Sequence, residues 1–186
     1  MINSKGRLII ISAPSGAGKG TIISFLMKLH PELVFSVSAT TRKQRRGEEE
    51  GKSYNFVTHE RFREMISRDE FLEYAEYVGE FYGTPKTPIF ECISNGKDVL
   101  LDIEVQGARQ VKSKMPEATS IFIVPPDMKE LERRLRGRGT DSEEKLAARL
   151  EWARLEMEEK ECYDYIVVND YVSRAAEEIL SIIKGL

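Results

Sequence analysis

Leu8-Ile-Ile-Ile-Ser12 runs directly into Ala13-Pro-Ser-Gly-Ala-Gly-Lys-Gly-Thr21. The first five residues are apolar on both faces, as expected of a strand buried in a parallel sheet covered by helices. After the glycines, Ile22, Ile23, Leu26 and Leu29 recur at helical spacing, predicting a helix over 18–29 that His30-Pro31 stops. Glycines let such a strand–helix loop curl until its backbone N–H groups converge on a phosphate. The helix N-terminus adds partial positive charge, and Lys19 supplies a full one. Two positions depart from the pattern G-x-x-x-x-G-K-[ST]. Ala13 takes the first glycine position, and Gly20 stands where a hydroxyl would ligate Mg²⁺, with Thr21 next. The metal is then left to bound water or to Thr21.

Four further runs read as strands: Leu33–Val37, Asp98–Ile103, Thr119–Val124 and Tyr165–Val168, all rich in Ile, Val, Leu or Phe and most apolar on both faces. Between them, helices are expected over Val105–Met115, Asp127–Arg136 with Asp127 as N-cap, Ser142–Glu161 and Ser173–Lys184. Alternating strands and helices predict a three-layer α/β fold with a five-stranded parallel sheet. Residues 38 to about 90 break the pattern: an Arg-rich loop, Tyr54-Asn-Phe-Val57, a helix over about 59–68 and an aromatic stretch Phe71–Val78. These predict a small inserted α+β lobe. A second, Arg-dense helical segment spans 133–149.

The 186 residues carry 28 Lys and Arg against 31 Asp and Glu, a formal net charge of -3, with 41% apolar residues. That length suits one domain, and the balance argues against a nucleic-acid coat, which wants a basic surplus. No apolar run approaches the ~20 residues of a membrane span. The N-terminal stretch lacks a signal-peptide apolar region, so a cytoplasmic protein is expected. Cys92 and Cys162 share no close-spaced motif with each other or with His30 and His59, which reads as reduced thiols and no metal cluster.

Asp102 and Glu104 fall at the carboxyl end of a buried strand, where open α/β sheets bind ligands, and Asp102 could hold Mg²⁺ through water. Arg42-Lys-Gln-Arg-Arg46 and Arg133-Arg-Leu-Arg-Gly-Arg138 each gather four positive charges within six positions. Arginine forks match phosphate oxygens bidentately, so the two clusters suggest closure over two phosphorylated ligands. The Glu-rich helix over 143–161 reads as a solvated face with pairs such as Glu156–Lys160.

Taken together, Ser36-Val-Ser-Ala-Thr-Thr-Arg42, Arg45, Gly47-Glu48, Gly51, Tyr54-Asn-Phe56, Phe71-Leu-Glu-Tyr-Ala75, Tyr82-Gly83-Thr84, Leu101-Asp-Ile-Glu-Val-Gln-Gly107, Arg134-Leu-Arg-Gly-Arg-Gly139 and Val168-Asn-Asp170 resemble the guanylate kinase family, in order and over nearly the whole chain. The resemblance implies the phosphate-loop NTPase fold, with a core of 1–37, 86–130 and 150–186, a GMP-binding lobe of 38–85 and a short helical lid of 131–149. It implies transfer of the γ-phosphoryl of ATP to GMP, with Mg²⁺ and with no nucleic-acid or membrane partner. Ala13, Pro14, Ser15, Gly16, Ala17, Gly18, Lys19, Gly20 and Thr21 would cradle ATP, with Arg134 and Asn169 beside it. Ser38, Arg42, Arg45, Glu48, Tyr54, Glu73, Tyr82 and Thr84 match the GMP pocket, with Asp102 and Glu104 between the two ligands. Lys19, Arg45, Arg138 and Arg149 would act on the transferring group. Gln44 stands where many relatives have Pro, which is expected to loosen the loop carrying Arg42 and Arg45.

The chemistry agrees with the resemblance. A phosphate monoester is already largely ionised at neutral pH, so no base is required. Glu73 could accept both the N1–H and N2–H₂ donors of guanine, which adenine lacks on that edge. Two other readings remain open at this point: a catalytically inactive protein-binding module on the same scaffold, and a kinase of this fold acting on a different phosphorylated small molecule.

Overall fold

The computed structural model describes residues 5–77, 79–137 and 142–186. Along them run β1 (Leu8–Ser12), α1 (Lys19–Leu29), β2 (Val34–Phe35), β3 (Ala39–Thr40), β4 (Asn55–Phe56) and α2 (His59–Ser67). Then follow β5 (Phe71–Tyr77), β6 (Glu80–Pro85), α3 (Lys86–Ser94), β7 (Val99–Asp102) and α4 (Val105–Lys114). The chain closes with β8 (Thr119–Val124), α5 (Met128–Gly137), α6 (Glu143–Glu158), a 3₁₀ turn (Glu159–Cys162), β9 (Tyr165–Val168) and α7 (Val172–Gly185). Five strands form a sheet in the order β2-β7-β1-β8-β9, and four form another in the order β4-β3-β6-β5. By contacts the chain divides into two compact units, one of residues 5–8, 34–101 and 106–118, the other of 9–33, 102–105 and 119–186.

In the second unit, β1 pairs with β8 and β8 with β9, all parallel. Ile9, Ile10, Ile11, Ile121, Phe122 and Ile123 are fully buried, each Ile worth ~1.5–3 kcal/mol relative to exposure. Helix α7 turns Ala175, Ala176, Ile179 and Ile183 inward at helical spacing. A second cluster, Leu131, Leu135, Leu146 and Ala153, joins α5 to α6. Asp127 caps α5 by accepting the Glu130 N–H at 2.7 Å, as its position in the sequence predicts.

The first unit holds the parallel pair β2–β7 and the mixed four-stranded sheet. Its core is aromatic: Phe62 of α2 stacks on Phe71 at 4.4 Å and on Phe81 at 5.3 Å. Thr58 starts α2 by accepting the Arg61 N–H.

Several expectations are corrected. Strand β2 has two residues rather than five, and both are only half-buried. Strand β9 is not covered on both faces: it ends the sheet order, and Tyr165, Ile166 and Val168 remain about 40% exposed. Apolar composition alone cannot separate an edge strand from a central one. Helix α6 stops at Glu158, short of Glu161, and tightens into the 3₁₀ turn. Helix α3 was not anticipated; its Pro88 sits in the first turn, where proline is tolerated.

Candidate active site

The phosphate-loop segment leaves β1 and doubles back through two left-handed glycines, Gly16 at φ +94° and Gly18 at φ +93°. Neither position has room for a side chain. A Cβ on Gly18 would lie 2.5 Å from Asn169 Nδ2, and one on Gly16 would lie 2.7 Å from Leu135 Cδ2. Gly18 is also the N-cap of α1, with no side-chain cap and no acid in the first turn. The orphan N–H groups of that turn are therefore left for an anion. Around Gly20 a Cβ would meet nothing within 4 Å, so its missing hydroxyl is not forced by space.

Lys19 projects from the first turn of α1 to Asp102 at 2.8 Å and Glu104 at 3.2 Å, with its side chain 15% exposed. Burial by itself would lower its pKa, but the two carboxylates outweigh burial and hold it above its usual value. It is a permanent cation. Asp102 and Glu104, spaced two apart, thus converge on one ammonium.

The loop is braced from three sides. Ser12 Oγ donates to the Ile103 carbonyl at 2.8 Å. Ala17 O accepts from Asn169 Nδ2 at 2.6 Å and from Arg134 Nη1 at 3.2 Å. Arg134 also donates to Asn169 O at 2.9 Å and to Glu130 at 2.8 Å. From α6, Arg149 donates to Ser15 Oγ at 2.8 Å, and Glu156 accepts the Ser15 N–H at 3.3 Å. Burial, and then the charge of Glu104, push the Glu156 pKa up.

Glu156 corrects its sequence reading: it faces the loop rather than pairing with Lys160. Helical spacing cannot tell which carboxylate of a Glu-rich helix turns inward. The basic run 133–138 divides its charges. Arg133 pairs with Glu130, and Arg136 with Glu132 and Glu143, leaving Arg134 as the member that reaches the loop among the described residues. Arg138 lies outside the described residues.

The other unit carries a second constellation. Arg42 donates both Nη atoms to Glu48, at 2.8 and 3.0 Å, and stacks 5.2 Å over the Tyr54 ring. Tyr54 meets Tyr82 edge to face at 6.1 Å. Glu48 also accepts the Arg45 N–H at 2.7 Å, and the Arg42 bond followed by the Arg45 bond lower its pKa to about 2. The Arg45 side chain is exposed. Gln44 Nε2 donates to Glu48 O at 2.5 Å, so it closes the loop instead of loosening it.

On the same sheet, Glu73 of β5 lies opposite Thr84 of β6, and Thr84 Oγ1 donates to Glu73 Oε1. Both side chains are buried, Glu73 to 6% exposure. Desolvation raises the Glu73 pKa, although Thr84 and then Lys114 oppose it. Ser38 sits half-buried just before β3, its carbonyl accepting the Asn55 N–H. A buried carboxylate with an oxygen edge still to satisfy is a reader of N–H donors.

A glycine loop running from a buried strand into a helix N-terminus, on a five-stranded parallel sheet and with a lysine held by acids at a strand end, defines a phosphate-loop NTPase fold. The guanylate kinase family model matches residues 5–186. Guanylate kinases from Synechococcus sp. (strain JA-3-3Ab) and Lactococcus lactis are each 51% identical, over 95% and 99% of this chain and 81% and 90% of their own lengths. The crystal structure of guanylate kinase from Anaplasma phagocytophilum superposes with a TM-score of 0.81 at 37% identity, covering 98% of this chain and 86% of that one. The chain belongs to the guanylate kinase family. No helix among the described residues is long and apolar enough to cross a membrane.

Proposed function

We propose that this chain phosphorylates GMP with ATP, giving GDP and ADP, and that its residues divide the work as follows. The observation that carries the reading is Glu73, a buried carboxylate on the same sheet as the Arg42–Tyr54–Tyr82 anion seat. Guanine presents N1–H and N2–H₂ to a carboxylate, and adenine would leave it unpaired at a cost of ~1–3 kcal/mol. Ser38 and Thr84 complete the base site. Arg42, Arg45, Tyr54 and Tyr82 hold the GMP phosphate, which competes with Glu48 for the Arg42 fork.

ATP takes the loop from Ala13 to Thr21, its phosphates capping the free N–H groups of α1. Asn169 and Arg134 stand beside the donor nucleotide. Lys19 exchanges part of its contact with Asp102 and Glu104 for the transferring phosphoryl, and Arg45, Arg138 and Arg149 stabilise its developing charge. No base is needed, because the acceptor oxygen is already ionised. The reaction further requires in-line approach at about 3–3.5 Å and exclusion of water. In this scheme 38–85 acts as the acceptor lobe and 131–149 as the lid of the core.

Mg²⁺ keeps several waters and takes one or two carboxylates plus substrate phosphates. Asp102, Glu104 and the exposed Thr21 hydroxyl fit that donor set, whereas Gly20 offers nothing. Bound with ATP, the cation would supply charge neutralisation between the phosphates. Among the described residues no three His, Cys, Asp or Glu side chains gather to hold a metal by themselves. The cytoplasm is the proposed place of action, without nucleic-acid or membrane partners. Nothing supports an inactive protein-binding module, since Lys19, Glu73 and the arginines are present.

A coupled assay with Mg·ATP and GMP, AMP, CMP or UMP tests the proposal. Turnover is expected with GMP far ahead of the others; none with GMP, or faster turnover with AMP, removes the assignment.

A further inference from the structure

Helix α4 presents one face to β5 at the height of Glu73. Gly107, Gln110 and Lys114 fall at i, i+3 and i+7, a single stripe of a helix. Together they meet three consecutive residues of the strand, Leu72, Glu73 and Tyr74. A Cβ on Gly107 would lie 2.6 Å from Glu73 Oε2 and 3.1 Å from its Cδ. Gln110 Nε2 donates to Tyr74 O at 2.9 Å, and its Oε1 accepts the Tyr74 N–H at 3.3 Å. Lys114 Nζ donates to Leu72 O at 2.6 Å.

The strand needs this support. β5 ends the four-strand order, so among the described residues its outer backbone groups have no neighbouring strand. Its register against β6 also shifts between Phe71 and Glu73, where three successive side chains are buried instead of alternating. Such irregularities re-aim side chains near functional sites. The Gln110 amide takes the place of a next strand at Tyr74, and Lys114 takes the carbonyl of the shifted Leu72. Between these two anchors the Glu73 carboxylate rests against bare backbone at Gly107.

We infer that Gly107 is a specificity-determining position for the base: with no side chain, it seats the Glu73 carboxylate, while Gln110 and Lys114 fix the strand that carries it. Gly107 is a positioning residue, acting through Glu73. The inference rests on the reading of Glu73 as the guanine acceptor. A methyl at 107 would displace the far end of Glu73, whose Oε2, Cδ and Cγ are the three atoms nearest to it. Backbone strain does not arise, since the glycine lies in a helix at ordinary angles.

The test uses the full chain and a steady-state assay in which GMP and ATP are varied separately, with GMP affinity measured by calorimetry alongside. Gly107→Ala is expected to raise the KM and Kd for GMP about ten- to a hundredfold, the scale of a displaced hydrogen bond to a charge. KM for ATP and the Tm should stay at wild-type values. In a Glu73→Ala background the same change should add nothing, because no carboxylate remains to displace. Gln110→Ala should weaken GMP in the same direction without touching ATP, as a second variant. An equal effect of Gly107→Ala with and without Glu73, a parallel rise in KM for ATP, or wild-type GMP binding overturns the inference. Glu73→Ala binding GMP like wild type would instead overturn the underlying assignment of Glu73.

Discussion

Glu73→Gln separates function from stability at one atom. The side chain is 6% exposed and keeps its size in the variant, and Gln can still accept the Thr84 hydroxyl through Oε1. What changes is the other edge, where an oxygen becomes an N–H₂ donor facing a guanine donor. One hydrogen bond to a charge, worth ~1.5–3 kcal/mol, is lost. At ~1.4 kcal/mol per decade the KM for GMP should rise roughly 10- to 150-fold, with KM for ATP unchanged. Stability should move the other way. Desolvation raises the Glu73 pKa above its ordinary 4.5, so the folded state holds this proton more tightly than the unfolded one. Its penalty is absent below 4.5 and grows as pH climbs through the raised value. Gln removes that penalty, so Tm at neutral pH should hold or rise, about 2–4 °C per ~1 kcal/mol for a domain of this size. The stability-against-pH curve between 4.5 and neutrality should also flatten. Initial rates over both substrates and thermal unfolding from pH 4 to 8 give the two readouts. Equal rises in both KM values, or a loss of several degrees at pH 7, would refute the reasoning.

Lys19→Ala should reduce kcat by at least about a thousandfold, the upper scale of losing one electrostatic contact to the transition state, while far-UV circular dichroism stays native. Residual turnover near wild type would contradict its role. Gly20→Ser has free space around the new side chain and should shift the Mg²⁺ titration of the rate to lower concentrations; an unchanged titration shows the hydroxyl to be irrelevant. Glu156→Gln keeps an acceptor for the Ser15 N–H but removes a negative charge from the loop. The acid-side pH dependence of KM for ATP should then diminish, because the raised Glu156 pKa no longer titrates there, and an unaltered profile would exclude Glu156 from ATP binding.

Local features were legible because they depend on neighbours along the chain. The buried strand, the glycines and the helix after them are set by spacing within 8–29. The pair of acids two apart at the end of β7 does reach one ammonium, and Asp127 caps the helix it precedes. The short strands β3 and β4, the exposure of β9 and the presence of α3 were not legible. Their burial and pairing depend on which remote segment lies alongside, and composition is silent on that.

The sequence by itself determined the parallel α/β class, the anion-seeking loop and the residue types available to two nucleotides. Only the tertiary structure decided which charges serve those sites. It turned Glu156 toward Ser15, 141 residues away in sequence, while spending Arg133 and Arg136 on surface ion pairs. It set Glu73 against Gly107, making the absence of a side chain matter as much as the carboxylate. The physical reason is that a charge acts within a few ångströms, and such distances between remote residues are fixed by packing, not by order along the chain.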